Sequence, residues 1–121
     1  MRACILVVER DERQRRSFVE VLRAFNYRVV GSPTANDALN ALRGVVFDAL
    51  VVAVKPSHVE EIFVAAEAKK IQPHLKLIVV STEPPPATLP TELDEYIQDP
   101  NLLLGADDAL SRIFPPNKAC R

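Results

Sequence analysis

At 121 residues the chain is sized for one domain and can bury a continuous core without disulfide or metal staples. Fifteen Lys and Arg nearly cancel sixteen Asp and Glu, leaving a formal net charge of −1, so no whole-chain field draws it to nucleic acid or to a membrane. Two cysteines, Cys4 and Cys120, are too few for a disulfide framework and suit a reducing cytoplasm, and the apolar stretch after Ala3 is too short for a signal peptide or a membrane span.

Strand and helix signals then alternate. Ile5 to Val8 is a short apolar run, rich in β-branched residues, of the kind buried on both faces of a sheet. Asp11, with Gln14 three residues later, is a capping-box pattern opening a helix whose apolar face is Phe18, Val21, Leu22 and Phe25. Tyr27 to Val30 is the second strand. Thr34 and Asp37 form a weaker cap for a short helix carrying Ala38, Ala41 and Leu42, ended by Gly44. Ala49 to Val54 is the third strand. Ser57 caps a third helix, with Glu60 at the reciprocal position and Val59, Ile62, Phe63, Ala66 and Ile71 as its stripe. Leu75 to Val80 is the fourth strand, and Tyr96-Ile97 belongs to a short fifth. Leu103, Ala106, Leu110 and Ile113 stripe the last helix, which Pro115-Pro116 stops.

The stretch between the fourth and fifth strands departs from this rhythm. Glu83 to Pro90 holds four of the ten prolines: Pro84, Pro85, Pro86 and Pro90. Proline lacks the amide donor and blocks helix interiors. An extended, polyproline-like loop is expected there, with at most one helical turn from Thr91 to Glu95.

Repeated strand–helix units with buried strands imply an α/β fold of three layers, a five-stranded parallel sheet with helices on both faces. Sites in such sheets lie at the carboxyl ends of the strands. Here those ends carry Glu9-Arg10-Asp11-Glu12, Ala53-Val54-Lys55-Pro56, Ser81 and Asp99-Pro100. With these segments the chain resembles, over nearly its whole length, the receiver domain of bacterial response regulators. The resemblance implies the flavodoxin-like strand order with an abbreviated fourth helix. It also implies a receiver-like domain over 1–114, with 115–121 as a C-terminal tail or the start of a linker.

A working receiver resembles a small metal-dependent autophosphatase. Two acidic residues after strand one and an acceptor aspartate after strand three hold Mg²⁺. A hydroxyl after strand four and a lysine after strand five hold the phosphoryl oxygens. Glu9 and Arg10 fall at the acidic pair, and Arg10 puts a fixed cation beside the metal's place. Ala53 falls at the acceptor and has no nucleophile; the spacing to Pro56 leaves Val52 as the alternative match, and neither is an acid. Ser81 keeps the hydroxyl, Asp99 replaces the lysine with the opposite charge, and Pro100 matches the proline that follows it. Arg10 and Asp99 could pair across the strand ends, or each could have drifted independently and point to solvent.

Other residues have plainer readings. Asp11 and Glu12 suit a helix N-terminus more than a displaced metal pair. Arg10, Arg13, Arg15, Arg16 and Arg23 make a basic first helix, but Glu12 and Glu20 dilute it and no aromatic interleaves it, so a solvated face is favoured over nucleic-acid binding. His58 and His74 have no cysteine or acid at ligand spacing. Cys120 is a free thiol without an evident activator, and Ser81 has no histidine partner to make it a nucleophile.

The resemblance with these departures implies a pseudo-receiver: a cytoplasmic, phosphorylation-independent protein-interaction module in two-component signalling, neither an enzyme nor a metal or cofactor binder. Its partner would be a signalling protein, with homodimerisation as an alternative. The face implied is the one receivers use for output, here Pro84, Pro85, Pro86, Tyr96 and the last helix. In the family a hydroxyl after strand four and an aromatic on strand five couple phosphorylation to that face, and Ser81 and Tyr96 match them. The rival functions are unconventional phosphotransfer through Ser81, Thr82 or Asp99, and a small-molecule sensor using the crevice left by Ala53.

Overall fold

The structure is a computed structural model that describes residues 3–54, 59–98 and 102–114. Five strands form one sheet: β1 (Cys4–Val8), β2 (Arg28–Ser32), β3 (Ala49–Ala53), β4 (Lys76–Ser81) and β5 (Glu95–Gln98). Every pairing is parallel, and the spatial order is β2-β1-β3-β4-β5. The helices are α1 (Glu12–Ala24), α2 (Ala35–Leu42), α3 (Glu60–Ala65), α4 (Ala68–Ile71) and α5 (Leu102–Ile113).

The period-two alternation of the strands divides the core between two faces. Leu6, Val8, Leu50, Val52, Leu77 and Val79 meet α2, α3 and α4 through Ala38, Leu39, Leu42, Ile62, Ala65 and Ala68. Ile5, Val7, Val29, Val51, Ile78 and Val80 meet α1 and α5 through Phe18, Leu22, Ala109 and Leu110. Both faces are therefore dry, as the continuous apolar runs of β1, β3 and β4 require. Leu110 and Ile113 of the expected α5 stripe reach the second cluster, while the side chains of Leu103 and Ala106 lie outside those described.

The first two helices start at the caps the sequence implies, although at α1 the reciprocal bond to the Asp11 amide comes from Glu9 rather than Gln14. Asp11 accepts from Gln14 N at 2.9 Å and Thr34 accepts from Asp37 N at 3.1 Å. The helix ends differ. Gly44 follows α2 but has no positive φ, so it is not a left-handed cap. Among the described residues the left-handed one is Asn26, φ 79°, after α1. Asn26 N donates to Arg23 O and Tyr27 N to Leu22 O, the paired bonds of a Schellman motif, and Tyr27 and Leu22 are both buried beside it. Phe25, at the C-cap, is 39% exposed and so is not one of the buried residues of the apolar face.

The third helix is also corrected. It is two short segments, α3 and α4, and the inward residues of α3 are Glu61, Ile62 and Ala65. Phe63 sits one position off that line and is 43% exposed. Val59 occupies the cap position without a side-chain bond; Ser57 lies outside the described residues. No helix or strand occurs from Thr82 to Asp94, only a turn closed by Leu93 N to Pro90 O, so the expected loss of a full fourth helix is met.

Without that helix, β5 is registered by a carboxylate. Asp94 N donates to Leu77 O at 2.9 Å, and Asp94 Oδ2 accepts Leu77 N at 2.8 Å and Lys69 Nζ at 2.6 Å. Asp48 repeats the device ahead of β3: its amide donates to Cys4 O and its Oδ2 accepts Cys4 N, both at 2.8 Å. Among the described residues, no helix is long and apolar enough to cross a membrane.

Candidate functional site

The strand order reverses between β1 and β3, so their carboxyl ends flank the crevice where such sheets place their sites. Val8 pairs with Val52 in register, which sets Glu9 and Ala53 at the adjoining strand ends. Val52 is fully buried in the α2–α3 cluster, whereas Ala53 is half-buried at the end of β3. Ala53 rather than Val52 therefore presents itself at the crevice.

Glu9 is buried, 4% exposed, and its carboxylate is engaged: Oε2 accepts Asp11 N at 2.9 Å. Its amide donates to Ser32 O, and its carbonyl accepts Arg15 Nη1 at 2.9 Å. Glu9 thus occupies the backbone-bonding place that Gln14 would fill in a capping box, and it fixes the corner from β1 into α1. Asp11 caps that helix and Glu12 pairs with Arg16 four residues on, which is the plainer role for both.

Arg10 pairs with Glu61. Arg10 Nη2 lies 3.0 Å from Glu61 Oε1, and Glu61 Oε2 accepts the buried amide of Ala35 at 2.8 Å. One carboxylate therefore ties β1, α2 and α3 together above the crevice. Asp99, the partner considered from sequence, lies outside the described residues, as do Pro100, His58 and Cys120. Sequence reasoning missed Glu61. Its signal was an acid immediately before Ile62, on the inward line of a short helix.

Mg²⁺ demands a near-octahedral set of oxygens, and a receiver draws several of them from carboxylates. Ala53 and Val52 supply none, Glu9 holds an amide, and a guanidinium already occupies Glu61. The described residues do not fit a divalent cation, and among them no group of three His, Cys, Asp or Glu could hold one.

Ser81 ends β4, 2% exposed, with Oγ accepting Glu83 N at 3.1 Å. Tyr96 packs on the first cluster, and its hydroxyl donates to Glu83 O at 2.9 Å and Pro84 O at 3.3 Å. The hydroxyl and the aromatic are thus joined through the backbone of Glu83. Tyr96 also anchors the start of the proline segment, which sequence alone had grouped with it only by analogy. A cavity of about 240 Å³ opens here, lined by Val54, Val59, Ile62, Ser81, Pro86 and Tyr96 together with Glu83 and Pro84; Ala53 is not part of it.

On α1, Arg15 and Arg23 lie over the β2 edge with their guanidinium groups on the carbonyls of Glu9 and Val29. His74 donates from Nε2 to Phe47 O at 3.0 Å, a structural role. Burial first, then the nearby Asp48 charge, pushes the Cys4 thiol up, with Arg28 opposing, so it is a poor nucleophile.

Against solved structures, the chain superposes on response regulator protein TrrA of Thermotoga maritima, which was determined with Mg²⁺ and BeF, with a TM-score of 0.78 at 18% identity, covering 91% of this chain and 97% of that one. The fold is that of the receiver domain. Vibrio cholerae chemotaxis protein CheY4 gives 0.78 at 16%, covering 93% and 99%, and a CheY-like receiver domain of Methanospirillum hungatei JF-1 gives 0.68 at 23%, covering 90% and 94%. No family model and no curated protein matches the sequence. At these identities the likeness is one of fold, carried by the buried strand pattern and the parallel strand order.

Proposed function

We propose that this chain is a pseudo-receiver, a phosphorylation-independent interaction module of bacterial two-component signalling, and not an enzyme. The observation that carries the reading is the crevice itself. Ala53 has no nucleophile, and Arg10, at the acidic-pair position after β1, is a cation already paired with Glu61. Phosphoryl transfer rests almost wholly on positioning and charge stabilisation, so losing both acceptor and metal ligands leaves little to catalyse it. Ser81 is no substitute: its oxygen is buried against an amide, and no described base reaches it.

A ligand or modification moves an equilibrium only through differential interaction with its states. Without a phosphoryl group to draw on Ser81, Tyr96 stays on Glu83 and Pro84, and the face made by Pro84, Pro85, Pro86, Tyr96 and α5 is available constitutively to a partner protein.

Acetyl phosphate with Mg²⁺ is expected to leave the intact mass unchanged, and Ala53→Asp alone is expected to stay silent because Arg10 keeps its place. A labile phosphate adduct on any aspartate, or on Ser81 or Thr82, overturns the proposal. A partner recovered by pull-down is expected to bind without phosphodonor and to be lost by Tyr96→Ala combined with Gly-Ser replacement of Pro84–Pro86. Loss instead through Arg13 and Arg16 moves the interface to α1.

A further inference from the structure

The cavity beside Tyr96 has the size and chemistry of a socket for one side chain. At about 240 Å³ it lies below the roughly 300–1,000 Å³ typical of small-molecule sites. It exceeds the roughly 150 Å³ of an apolar cavity that holds benzene. Its apolar lining comes from Val54, Val59, Ile62, Pro84, Pro86 and Tyr96. Val54 and Ile62 are buried core residues, and each proline fixes its own φ, so this side of the socket is formed before any partner arrives. The mouth carries one acid. Glu83 is held at both ends of its backbone, its amide on Ser81 Oγ and its carbonyl on Tyr96 Oη, so its Cα is pinned at the rim. Among the described residues its exposed carboxylate has no ion-pair partner.

We propose that this cavity is the anchor socket of the docking face, receiving one leucine- or phenylalanine-sized side chain of a partner protein whose neighbouring residue is basic and meets Glu83. The inference rests on the docking reading above and adds the chemistry of the contact. A single large apolar group seated in a preformed pocket is how interfaces concentrate their energy, and a socket formed beforehand spares the ordering that a mobile one would require.

The test uses three probes on the full chain, followed by amide NMR: N-acetyl-phenylalanine amide, and the N-acetylated amides of lysyl-phenylalanine and glutamyl-phenylalanine. Shifts are expected to centre on Val59, Ile62, Ser81, Glu83 and Tyr96, with millimolar dissociation constants. The lysyl probe is expected to bind roughly two- to fivefold tighter than the neutral one, the range an exposed ion pair supplies. Glu83→Gln is expected to remove that margin. Val59→Trp fills the socket and is expected to abolish binding of all three, with Pro86→Phe as a second blocking variant should the first unfold. Absent shifts, shifts elsewhere, equal binding of the lysyl and glutamyl probes, or indifference to both blocking variants overturns the socket. The docking reading fails separately. A recovered partner that is lost by Tyr96→Ala with the proline replacement, yet still binds the socket-filled variants, keeps the face and removes the socket. A partner indifferent to every one of these variants removes the face itself.

Discussion

Removing Glu61 should damage this fold more than removing the arginine it pairs with. Glu61 is buried, 8% exposed, and its two oxygens do different work. Oε2 accepts the amide of Ala35, the first residue of α2, which is itself fully buried. Oε1 accepts Arg10, whose side chain is 48% exposed. Glu61→Ala strands a buried amide, which costs about 1–3 kcal/mol. It also ends an ion pair that, with one partner half in water, is worth about 0–1 kcal/mol. The expected loss is therefore about 1–4 kcal/mol, centred near 2–3. Glu61→Gln keeps an acceptor for Ala35 and should cost about 1 kcal/mol, and Arg10→Gln leaves the Ala35 bond intact and should cost no more than about that. Urea unfolding at pH 7 measures all three, with unchanged slopes expected because no surface is newly exposed in the native state. Arg10→Gln costing as much as Glu61→Ala would refute the reasoning, since the ion pair and not the buried amide would then dominate.

Three further outcomes follow from local geometry. A Cβ added at Gly31 would meet Arg15 Cγ at 3.0 Å and Val19 Cγ2 at 3.1 Å, whereas Gly44 has open space and ordinary φ; Gly31→Ala should destabilise by about 1 kcal/mol, and Gly44→Ala should stabilise by about 0.4–1 kcal/mol, in thermal or urea unfolding. Asn26→Val should cost about 1–2 kcal/mol for a β-branched residue forced left-handed, while Asn26→Gly should be neutral or better; equal stability of the two variants would remove the Schellman cap as the cause. Burial alone would raise the Asp94 carboxyl, but the bonds from Lys69 and Leu77 and the charges of Lys69 and Lys76 outweigh it and hold it below the usual carboxylate range. A depressed carboxyl lends stability above its unfolded pKa of about 3.9 and loses it as pH falls through the folded value, so the gap between wild type and Asp94→Asn should be full at pH 7 and close in acid. A gap independent of pH would assign the effect to shape rather than charge.

Much of this protein was legible in one dimension. Apolar runs at Ile5–Val8, Ala49–Val54 and Leu75–Val80 announced strands buried on both faces, because only a sheet covered by helices on both sides keeps such runs dry. Asp11 and Thr34 announced two helix starts, because a cap acts on an amide two or three residues away. Prolines 84–86 and 90 excluded a full helix between β4 and β5, because each removes a donor wherever it stands. Ala53 at the end of β3 was also readable, since strand length and alternation place it there.

Tertiary structure decided what depends on partners far apart in the chain. Arg10 and Glu61 are separated by 51 residues, and Glu61 and Ala35 by 26. No local pattern marks such a carboxylate as a clamp rather than a solvated charge. In α3 Glu61 faces inward and Phe63 outward on either side of Ile62, a difference of one helical position that hydrophobic counting cannot resolve. The socket beside Tyr96 arises only because the turn after β4 is folded back onto β5 through Glu83. Periodicity and capping are properties of neighbouring residues and survive in the sequence; ion pairs, burial of a single charge and the shape of a cavity are properties of packing, and they exist only once distant segments meet.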